Sequence, residues 1–250
     1  MAIRNKVREM LKKLTRIYSE GGVSFVLKKT LGLTNRVIKN TCNEVYFAVS
    51  PVNTFKFNGK NLKYFRHNYN RAYENERTIE VAIVSDFLKL LDKKAKVLEV
   101  GNVLANYGFE RNKRDVLDKY DPAPHVFNED VISFKPVKKY DAIISISTLE
   151  HVGWDEDVRD PVKIITAVSN LTDNCLAPGG CLLVTIPLGY NTYFDEQLAV
   201  GSQYFTEKYF LKRISAKNEW VQVNYSDVAG MKFGQPFNNA NAMCIGIVCT

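Results

Sequence analysis

Carboxylates stand at the ends of three short apolar runs in this chain of 250 residues. Glu99 closes the first run, Asp118 closes the second 19 residues later, and Asp130 follows the third. In an open α/β sheet, ligands bind beyond the carboxyl ends of the strands, so polar residues there are candidates for a site. A carboxylate about 20 residues beyond a first glycine turn, here Gly101, can accept hydrogen bonds from both hydroxyls of a ribose. The spacing therefore predicts a nucleotide-type ligand whose ribose is held by Asp118.

A fourth apolar run ends in Ser147, Glu150 and His151. A histidine with its ordinary pKa of about 6.5 is suited to take a proton near neutral pH. His151 is therefore the best candidate for a general base, and Glu150 either orients it or takes its place. The alternative is that these residues only cap the segment that follows the strand.

Strands and helices must alternate along the chain to bring these residues together. Strands are predicted at 96–100, 114–118, 125–128, 141–147, 181–186, 220–225 and 242–249, and helices at 74–91, 159–174 and 206–215. The near-continuous apolar runs "AIISI" and "CLLVTI" are typical of parallel strands that are covered on both faces. The sequence therefore predicts an α/β fold with a mostly parallel sheet.

Five motifs follow one another in a recognisable order: "VLEVG", the acid Asp118, "NEDV", "YDAIISISTLEHV" and "PGGCLLVTIPLG". In this order they resemble the class I S-adenosylmethionine-dependent methyltransferases over roughly residues 74–250. The resemblance implies a Rossmann-like sheet of seven mostly parallel strands, with an antiparallel last strand and helices on both faces. It also implies S-adenosylmethionine as the cofactor and an enzyme that transfers its methyl group.

The resemblance assigns roles to the residues at the strand ends. It implies that Asp118 holds the ribose, that Asp130 binds the adenine amino group, and that Gly101 with Asn102 lies beneath the methionine end. Glu99 and Ser147 complete the predicted cofactor-binding set.

The first loop departs from the family because only Gly101 and the distant Gly108 remain of its glycines. One interpretation is a remodelled loop in which Asn102 adopts the left-handed conformation that glycine would take. The other is a degenerate site that binds nothing. We favour the first, because carboxylates gathered at strand ends repel one another unless a ligand bridges them. The 12 residues between Gly101 and Arg114 leave room for only a turn or two of helix.

The acceptor pocket is expected among the aromatic and amide residues that follow the strands. Trp154, Tyr190, Asn191 and Tyr69 are the candidates, since flat rings stack on sugar faces and amides bind hydroxyls. The predicted acceptor is small or carbohydrate-like, such as part of a surface glycan built at a membrane. No motif for methylation of nucleic-acid bases is visible, so a nucleic-acid partner is not expected, and no metal site is apparent. The alternative function is a non-catalytic, methyltransferase-like binding or scaffold module.

The positive charge lies in one segment. Residues 1–40 carry ten Lys and Arg against two Glu, whereas the rest of the chain is close to neutral. This segment is predicted to be a basic amphipathic helix that either binds an anionic membrane or packs on the main domain. Residues 41–73 form an aromatic lead-in or lid, and residues 74–250 form the methyltransferase-like domain.

Five cysteines without CxxC spacing predict reduced thiols. We therefore expect a cytoplasmic protein, peripheral at the inner membrane face if the basic segment binds lipid.

Overall fold

The computed structural model describes residues 51–201 and 204–250, together with eight helical positions between residues 31 and 49. Met1–Pro51 and Val52–Thr250 form two separate compact units. The predicted basic helix of residues 1–40 lies almost wholly outside the described residues. Within the described residues, no helix combines the length and the apolar character that crossing a membrane requires.

An eight-stranded sheet forms the centre of the unit Val52–Thr250. Its strands are β3 (Val97–Val100), β4 (Asp115–Leu117), β5 (Val126–Phe127), β6 (Tyr140–Ile146), β7 (Leu176–Pro187), β8 (Glu207–Arg213), β9 (Trp220–Val223) and β10 (Ala242–Cys249). They are ordered β5-β4-β3-β6-β7-β10-β8-β9. The strands from β5 to β7 are parallel, and β10 is antiparallel to both of its neighbours. The predicted Rossmann-like fold is confirmed, with eight strands instead of seven, because the segment that forms β8 was predicted as a helix.

The apolar runs of the central strands are buried on both faces of the sheet. In β6, Ile143 packs in the core on one face, whereas Ile144 packs on the other. The neighbouring β7 repeats this alternation with Leu182 and Leu183. Because successive side chains of a strand point to opposite faces, an unbroken apolar run fills both cores at once.

The helices cover these two faces. They are α1 (Arg77–Leu90), α2 (Lys163–Asn170) with a π-helical turn after it (Leu171–Cys175), and α3 (Thr192–Ala199). Ahead of α1, a two-stranded hairpin joins β1 (Thr54–Phe57) to β2 (Lys60–Lys63). Its turn is Asn58–Gly59, with φ of 45° and 76°, which is the residue pair that a tight hairpin turn favours.

The helix predicted at residues 206–215 is wrong, since this segment is strand β8. Its side chains alternate between the two cores, with Phe210 on one face and Tyr209 and Leu211 on the other. Hydrogen bonding to β10 on one side and to β9 on the other fixes the extended conformation. Pairing on both edges outweighs the local helical preference of such a short segment.

The prediction that all cysteines are reduced is also wrong for one pair. Cys181 in β7 and Cys249 in β10 are directly opposite each other in the antiparallel register and form a disulfide, with their Cα atoms 4.2 Å apart. The bond joins residues 68 positions apart in sequence, so only the register of two distant strands brings them together. Cys42, Cys175 and Cys244 are free.

Candidate active site

Two adjacent cavities open at the carboxyl ends of the parallel strands. The first cavity is about 360 Å³ and the second is about 240 Å³. Gly101, Asp118 and Thr148 line both of them. The first cavity adds Val100, Leu117, Lys119, Tyr120, Glu129, Asp130, Val131, His151, Val152, Asp155 and Glu156. The second adds Tyr69, Asn70, Arg77, Asn102, Val103, Asn106, Tyr107 and Asp121.

Gly101 is the point at which the chain turns away from β3. Its φ of +84° is one that side chains other than glycine rarely adopt, and its N–H donates to the carbonyl of Leu117 at 2.9 Å. A Cβ atom at this position would lie 2.3 Å from Thr148 Oγ1. Glycine is therefore required here both by the backbone conformation and by the close approach of Thr148.

Asp118 lies between the two cavities and is held by backbone N–H groups. Its carboxylate accepts hydrogen bonds from Tyr120 at 2.9 Å, Asp121 at 3.1 Å and Asn102 at 3.3 Å. No Lys or Arg of the part that the structure describes forms an ion pair with it. The carboxylate is thus oriented by its neighbours, and acceptor capacity remains for a ligand.

Asn102 does not replace a glycine in the way that the sequence predicted. Its φ is not positive, because Gly101 alone makes the left-handed turn. Its side-chain amide donates to Asp121 Oδ2 at 2.7 Å, and its Oδ1 is buried without a hydrogen-bond partner in the structure. The crossover that follows contains only the short 3₁₀ turns Leu104–Tyr107 and Arg111–Lys113. This confirms the prediction that its 12 residues leave room for only a turn or two of helix.

Glu99 does not reach either cavity. Its side chain is fully buried, Oε1 accepts the N–H groups of Val103 and Leu104 at 2.9 and 2.7 Å, and Oε2 pairs with Arg114. Burial raises the pKa of Glu99 although Arg114 acts against that rise. Its role is to hold the first loop from beneath, so the prediction of a ligand contact is corrected.

Asp130 lies in the wall of the first cavity. It forms an ion pair with Lys119 at 2.8 Å and accepts the N–H of Ile132 at 3.2 Å. Burial works against its ionisation, but Lys119 holds the pKa of Asp130 below its ordinary value. Protein cations therefore balance two of the three strand-end acids, so the argument that their repulsion requires a bridging ligand does not hold.

Ser147 faces the protein interior instead of the cavities. Its hydroxyl donates to Glu80 Oε1 at 2.5 Å, and the same oxygen accepts the Thr185 hydroxyl at 2.6 Å. Its φ of 37° turns the chain so that the next residue, Thr148, reaches the cavities. Thr148 therefore takes the place that the sequence prediction gave to Ser147.

His151 projects into the first cavity and is hydrogen bonded on one side of its ring. Its Nδ1 lies 2.5 Å from Asp155 Oδ2, which also accepts the Tyr190 hydroxyl at 2.7 Å. The Tyr190 ring packs edge-on against the imidazole, with centroids 4.9 Å apart. Because a carboxylate only accepts hydrogen bonds, Nδ1 carries the proton in neutral imidazole and Nε2 is left as the basic atom.

Asp155 is charged and Tyr190 is neutral at neutral pH. Burial works against ionisation of Asp155, but hydrogen bonds from Tyr190 and His151 hold its pKa below the ordinary value. Burial and the adjacent carboxylate raise the pKa of Tyr190 to about 12. The arrangement therefore holds the imidazole in one orientation and stabilises it when it becomes protonated.

Glu150 lies behind His151 and does not line either cavity. Only 1% of its surface is exposed, and its Oε1 is 3.8 Å from His151 Nε2, which is beyond hydrogen-bond range. Burial raises the pKa of Glu150 well above its ordinary value. Glu150 is therefore not placed to take a proton from a ligand in either cavity, and the residue that orients His151 is Asp155.

Asn191 serves as a helix cap and not as a ligand contact. Its Oδ1 accepts the N–H of Phe194 at 3.1 Å at the start of α3, and its Nδ2 donates to the carbonyl of Glu150 at 3.0 Å. Asparagine is among the residues that best satisfy the free N–H groups of a helix start. The predicted substrate contact at Asn191 is therefore corrected, and helix α3, which the sequence analysis missed, explains it.

The loop that carries Tyr190 is held by Asp195, whose Oδ2 accepts the N–H of Gly189 at 2.8 Å. Burial raises the pKa of Asp195 to about 6, above the ordinary value of about 3.9. The folded state thus loses stability as the pH rises from about 4 to about 6, because in this pH range Asp195 ionises in the unfolded chain but stays protonated in the folded chain.

Asp195→Asn is expected to raise the free energy of unfolding at pH 7.5 by about 1 kcal/mol, because the buried charge is removed while the side-chain oxygen is kept. Urea unfolding at several pH values measures it. The gain should shrink towards zero below pH 4; a gain that does not depend on pH would contradict the explanation.

The remaining two predicted acceptor residues lie apart from each other. Trp154 is covered by Arg159, whose guanidinium carbon is 3.4 Å from the ring centroid, and it does not line the two cavities. Tyr69 lines the second cavity and packs against Tyr107, with ring centroids 5.5 Å apart. Of the acceptor set, the structure therefore brings Tyr69 to the second cavity and Tyr190 to the side of His151.

Arg77 is a cavity residue that the sequence analysis missed. It lies in the first turn of α1, lines the second cavity and pairs with Glu80 at 2.5 Å. Burial lowers its pKa, but Glu80 and Glu76 reverse this, so the pKa of Arg77 is raised and the guanidinium stays charged. The sequence offered one signal for this role of Arg77, namely its position at the start of a helix that follows an aromatic-rich segment.

The strand order decides the fold family. Counted along the chain within the parallel part of the sheet, the strands follow the Rossmann order 3-2-1-4-5-6, with an antiparallel seventh strand, β10, inserted between the fifth and the sixth. The chain has a Rossmann-like fold with the strand order and the antiparallel strand that the resemblance to class I methyltransferases implied. Its additions are the edge strand β9 and the hairpin of β1 and β2.

Comparisons with solved structures find methyltransferases. The chain is similar to N-methyltransferase NodS from Bradyrhizobium japonicum, at 14% identity and a TM-score of 0.41, over 70% of this chain and 98% of that one. A S-adenosylmethionine-dependent methyltransferase from Archaeoglobus fulgidus gives 14% identity and a TM-score of 0.42 over 73% and 98%. CalS10, an amino pentose methyltransferase from Micromonospora echinaspora, gives 21% and 0.35 over 48% and 56%. No family model and no curated protein matches the chain.

Proposed function

We propose that this protein transfers a methyl group from S-adenosylmethionine to a small or carbohydrate-like acceptor. The observation that carries the proposal is the meeting of two cavities at Gly101, Asp118 and Thr148, on the carboxyl edge of a methyltransferase-type sheet. The first cavity combines apolar side chains with several carboxylates, and the second contains Arg77. Together they suit a ligand with a nucleoside at one end and an amino acid at the other.

The residues fit the cofactor part by part. Val100, Leu117 and Val131 form an apolar wall for the adenine ring, with Asp130 available to accept from its amino group. Asp118 stands between the cavities, where it would accept both ribose hydroxyls. Arg77 lines the second cavity, where it would attract the carboxylate of the methionine end.

The buried Asn102 Oδ1, which has no partner in the structure, is a further observation in favour of a ligand. It is an acceptor on a residue that lines the second cavity, and it would take a hydrogen bond from the cofactor's ammonium group.

S-adenosylmethionine, when bound, supplies an electrophilic methyl group on a sulfonium. The chain's own task is to place an acceptor hydroxyl or amine in line with that group and to take the proton that the acceptor loses. His151 Nε2 takes this proton, and Asp155 stabilises the resulting imidazolium through Nδ1. Charge balances, since the acceptor heteroatom gains a methyl group and loses a proton.

A direct test is release of S-adenosylhomocysteine when the protein is supplied with labelled S-adenosylmethionine and a panel of amino sugars and glycosides. We expect transfer of the label to at least one acceptor. Tight cofactor binding without any transfer across the panel would instead favour the alternative, a non-catalytic binding or scaffold module.

Asp130→Ala is expected to weaken binding of S-adenosylhomocysteine only by about twofold to tenfold, because a single hydrogen bond is lost and the carboxylate that accepts it is already paired with Lys119. The sharper readout is base preference: the wild type should prefer the adenine compound to its hypoxanthine analogue, which lacks the amino group, and the variant should not. Competitive calorimetry measures both ligands, with Asp141→Ala, at the opposite end of the sheet, as the control. An unchanged preference would remove Asp130 from the site.

The basic residues 1–40 support a second proposal, binding to an anionic membrane surface, on the ground of charge alone. Near such a surface each Lys or Arg contributes up to about 1 kcal/mol, and salt screens this attraction over about 8 Å. The protein is expected to sediment with anionic liposomes at low salt and to be released as the salt concentration rises. Replacing Lys12, Lys13 and Arg16 by Gln should reduce sedimentation and leave cofactor binding unchanged; equal sedimentation of the variant would refute the proposal.

We also propose that the protein is located in the cytoplasm. Its acceptor would then be a glycan precursor at the inner face of the membrane. The Cys181–Cys249 disulfide counts against a strictly reducing compartment. Whether the bond forms in cells is measured by thiol labelling of protein that is quenched in acid before extraction.

A further inference from the structure

A third cavity of about 450 Å³ opens beside the second, and Asn70 lines both. Its walls are polar and come from the segment ahead of α1, the end of β8 and the loop that precedes β10. The residues that matter for its chemistry are Asn70, Arg71, Asn75, Arg213, Asn238 and Asn239.

The sheet topology places this cavity on the same edge as the proposed cofactor site. Strand β8 is antiparallel to β10, which is antiparallel to β7, so β8 runs in the direction of the parallel strands. Arg213 is the last residue of β8 and therefore lies at the carboxyl edge. Strand β8 is the third strand from β6 in the sheet order, so Arg213 lies roughly 14 Å from the end of β6 along that edge.

Arg213 is a buried cation without a carboxylate partner in the described part of the chain. Only 6% of its surface is exposed. Its Nε, Nη1 and Nη2 donate to the carbonyls of Ser215, Asn238 and Ala216 at 3.1, 3.0 and 3.4 Å. Three of its five N–H groups are used in this way, so two remain. The guanidinium also lies over the Phe237 ring, 4.9 Å from its centroid, so the groups that it contacts in the described residues are all neutral. Its charge is therefore not balanced by a carboxylate, and Arg is the side chain best suited to bind a phosphate or a carboxylate.

The other charges around the cavity do not cancel that of Arg213. Arg71 is paired with Glu74 at 2.8 Å, so these two neutralise each other. Glu76 is the acid that acts on Arg213 electrostatically, but it does not line the cavity and forms no ion pair with Arg213 in the described residues. The cavity therefore presents one net positive charge among several amide side chains, which bind hydroxyl groups.

The backbone of the cavity wall is strained. Asn70, Arg71 and Asn239 all have positive φ, at 49°, 47° and 68°. Residues other than glycine adopt such conformations at a cost in free energy, so they persist only where the surrounding structure holds them. They are found most often at active sites and ligand-binding sites.

We propose that the third cavity binds the oxyanion of a hydroxyl-rich methyl acceptor, a phosphate or a carboxylate, with Arg213 as its cationic ligand. The identification of this molecule as the acceptor rests on the proposed function, whereas the anion site does not. The acceptor then extends from Arg213 past Asn70 and along the second cavity, so that its methylated atom, at the far end from its charge, reaches the junction with the first cavity, which His151 lines.

The test is calorimetric titration of the full chain, saturated with S-adenosylhomocysteine, with four probes: inorganic phosphate, glucose 1-phosphate, glucuronate and methyl glucoside. We expect one of the two charged sugars to bind more tightly than methyl glucoside. The better of the two identifies the oxyanion as phosphate or carboxylate. Equal binding of charged and uncharged sugars, or binding of none, would overturn the proposal.

Arg213→Gln is expected to weaken binding of the preferred charged sugar about tenfold. Lys212→Gln is the matched control, since it removes the same charge from the neighbouring position of β8, outside the lining of the cavity, and should have no effect. Because Arg213 also holds three carbonyls, Asn238→Asp provides a second variant: it adds a negative charge to an exposed residue of the lining and should weaken the anion equally. Unchanged affinity in Asn238→Asp would contradict the proposal even if Arg213→Gln fails to fold.

The two proposals fail separately. Binding of the charged sugar to a protein that shows no affinity for S-adenosylhomocysteine would support the anion site and overturn the methyltransferase. Binding of S-adenosylhomocysteine with no preference for a charged sugar would overturn the anion site alone.

Discussion

His151→Ala is expected to lower the rate of methyl transfer by about a hundredfold to ten-thousandfold, the range for loss of a positioned general base. The affinity for S-adenosylhomocysteine should stay nearly the same, because the imidazole is directed towards the acceptor and is anchored by Asp155 on its other side. Single-turnover kinetics with saturating cofactor separates the chemical step from binding.

Two controls distinguish this role from a structural one. His125→Asn changes an exposed histidine that lines neither of the two cavities and should be neutral. Asp155→Asn should slow transfer about tenfold, since it removes the carboxylate that fixes the ring and stabilises its charge. If His151→Ala turns over at the normal rate, proton removal by His151 is refuted; if transfer is lost together with folding, His151 is only structural.

Asp118→Ala is expected to weaken cofactor binding about tenfold to a hundredfold. Charge-assisted hydrogen bonds of the kind that a carboxylate makes to a ribose diol contribute about 1.5–3 kcal/mol. The variant also frees the N–H groups of Tyr120 and Asp121, but these are near the surface and water can satisfy them.

The matched control for Asp118 is Asp115→Ala, at the opposite end of the same strand β4. Asp115 accepts the hydroxyl of Tyr140 at 2.9 Å and is remote from the carboxyl edge, so its removal should reduce stability slightly without changing cofactor affinity. Equal losses of affinity in both variants would mean that strand β4 itself had been disturbed. An unchanged dissociation constant in Asp118→Ala would exclude its contact with ribose.

The fold could be predicted from the sequence because its signal is redundant. The apolar runs at β6 and β7 must be buried on both faces, and only a covered, mostly parallel sheet satisfies both runs. Strand β8 was assigned wrongly because its seven residues carry little periodic information of their own. What makes it a strand is pairing with β9 and β10, and the local sequence of β8 does not show that these two strands lie on either side of it.

The sequence predicted which positions of the chain lie near the site, but not the direction in which their side chains point. Spacing identified Asp118 and Gly101 correctly as residues at the cavity, but it could not tell which neighbours face inwards. Ser147 turns into the core, whereas the next residue, Thr148, lines both cavities. Sequence spacing likewise gave no sign that Glu99 pairs with Arg114, because an internal ion pair and a ligand contact use the same residue types.

Residues that act through other residues were also beyond the reach of the sequence. Asp155 follows His151 by four positions, and only the folded chain shows that its carboxylate, and not that of Glu150, meets the imidazole. The disulfide and the burial of Arg213 could not be predicted for the same reason, because each depends on the register between strands that are far apart in sequence.

The central claim is that the two cavities that meet at Asp118 hold one ligand with a nucleoside end and an amino-acid end. Calorimetric titration with S-adenosylhomocysteine, adenosine and homocysteine tests it most directly. We expect one site per chain with a dissociation constant on the order of micromolar for S-adenosylhomocysteine, about −8 kcal/mol, and binding at least a hundredfold weaker for either half alone. No detectable heat with S-adenosylhomocysteine, or adenosine binding as tightly as the whole molecule, would contradict it.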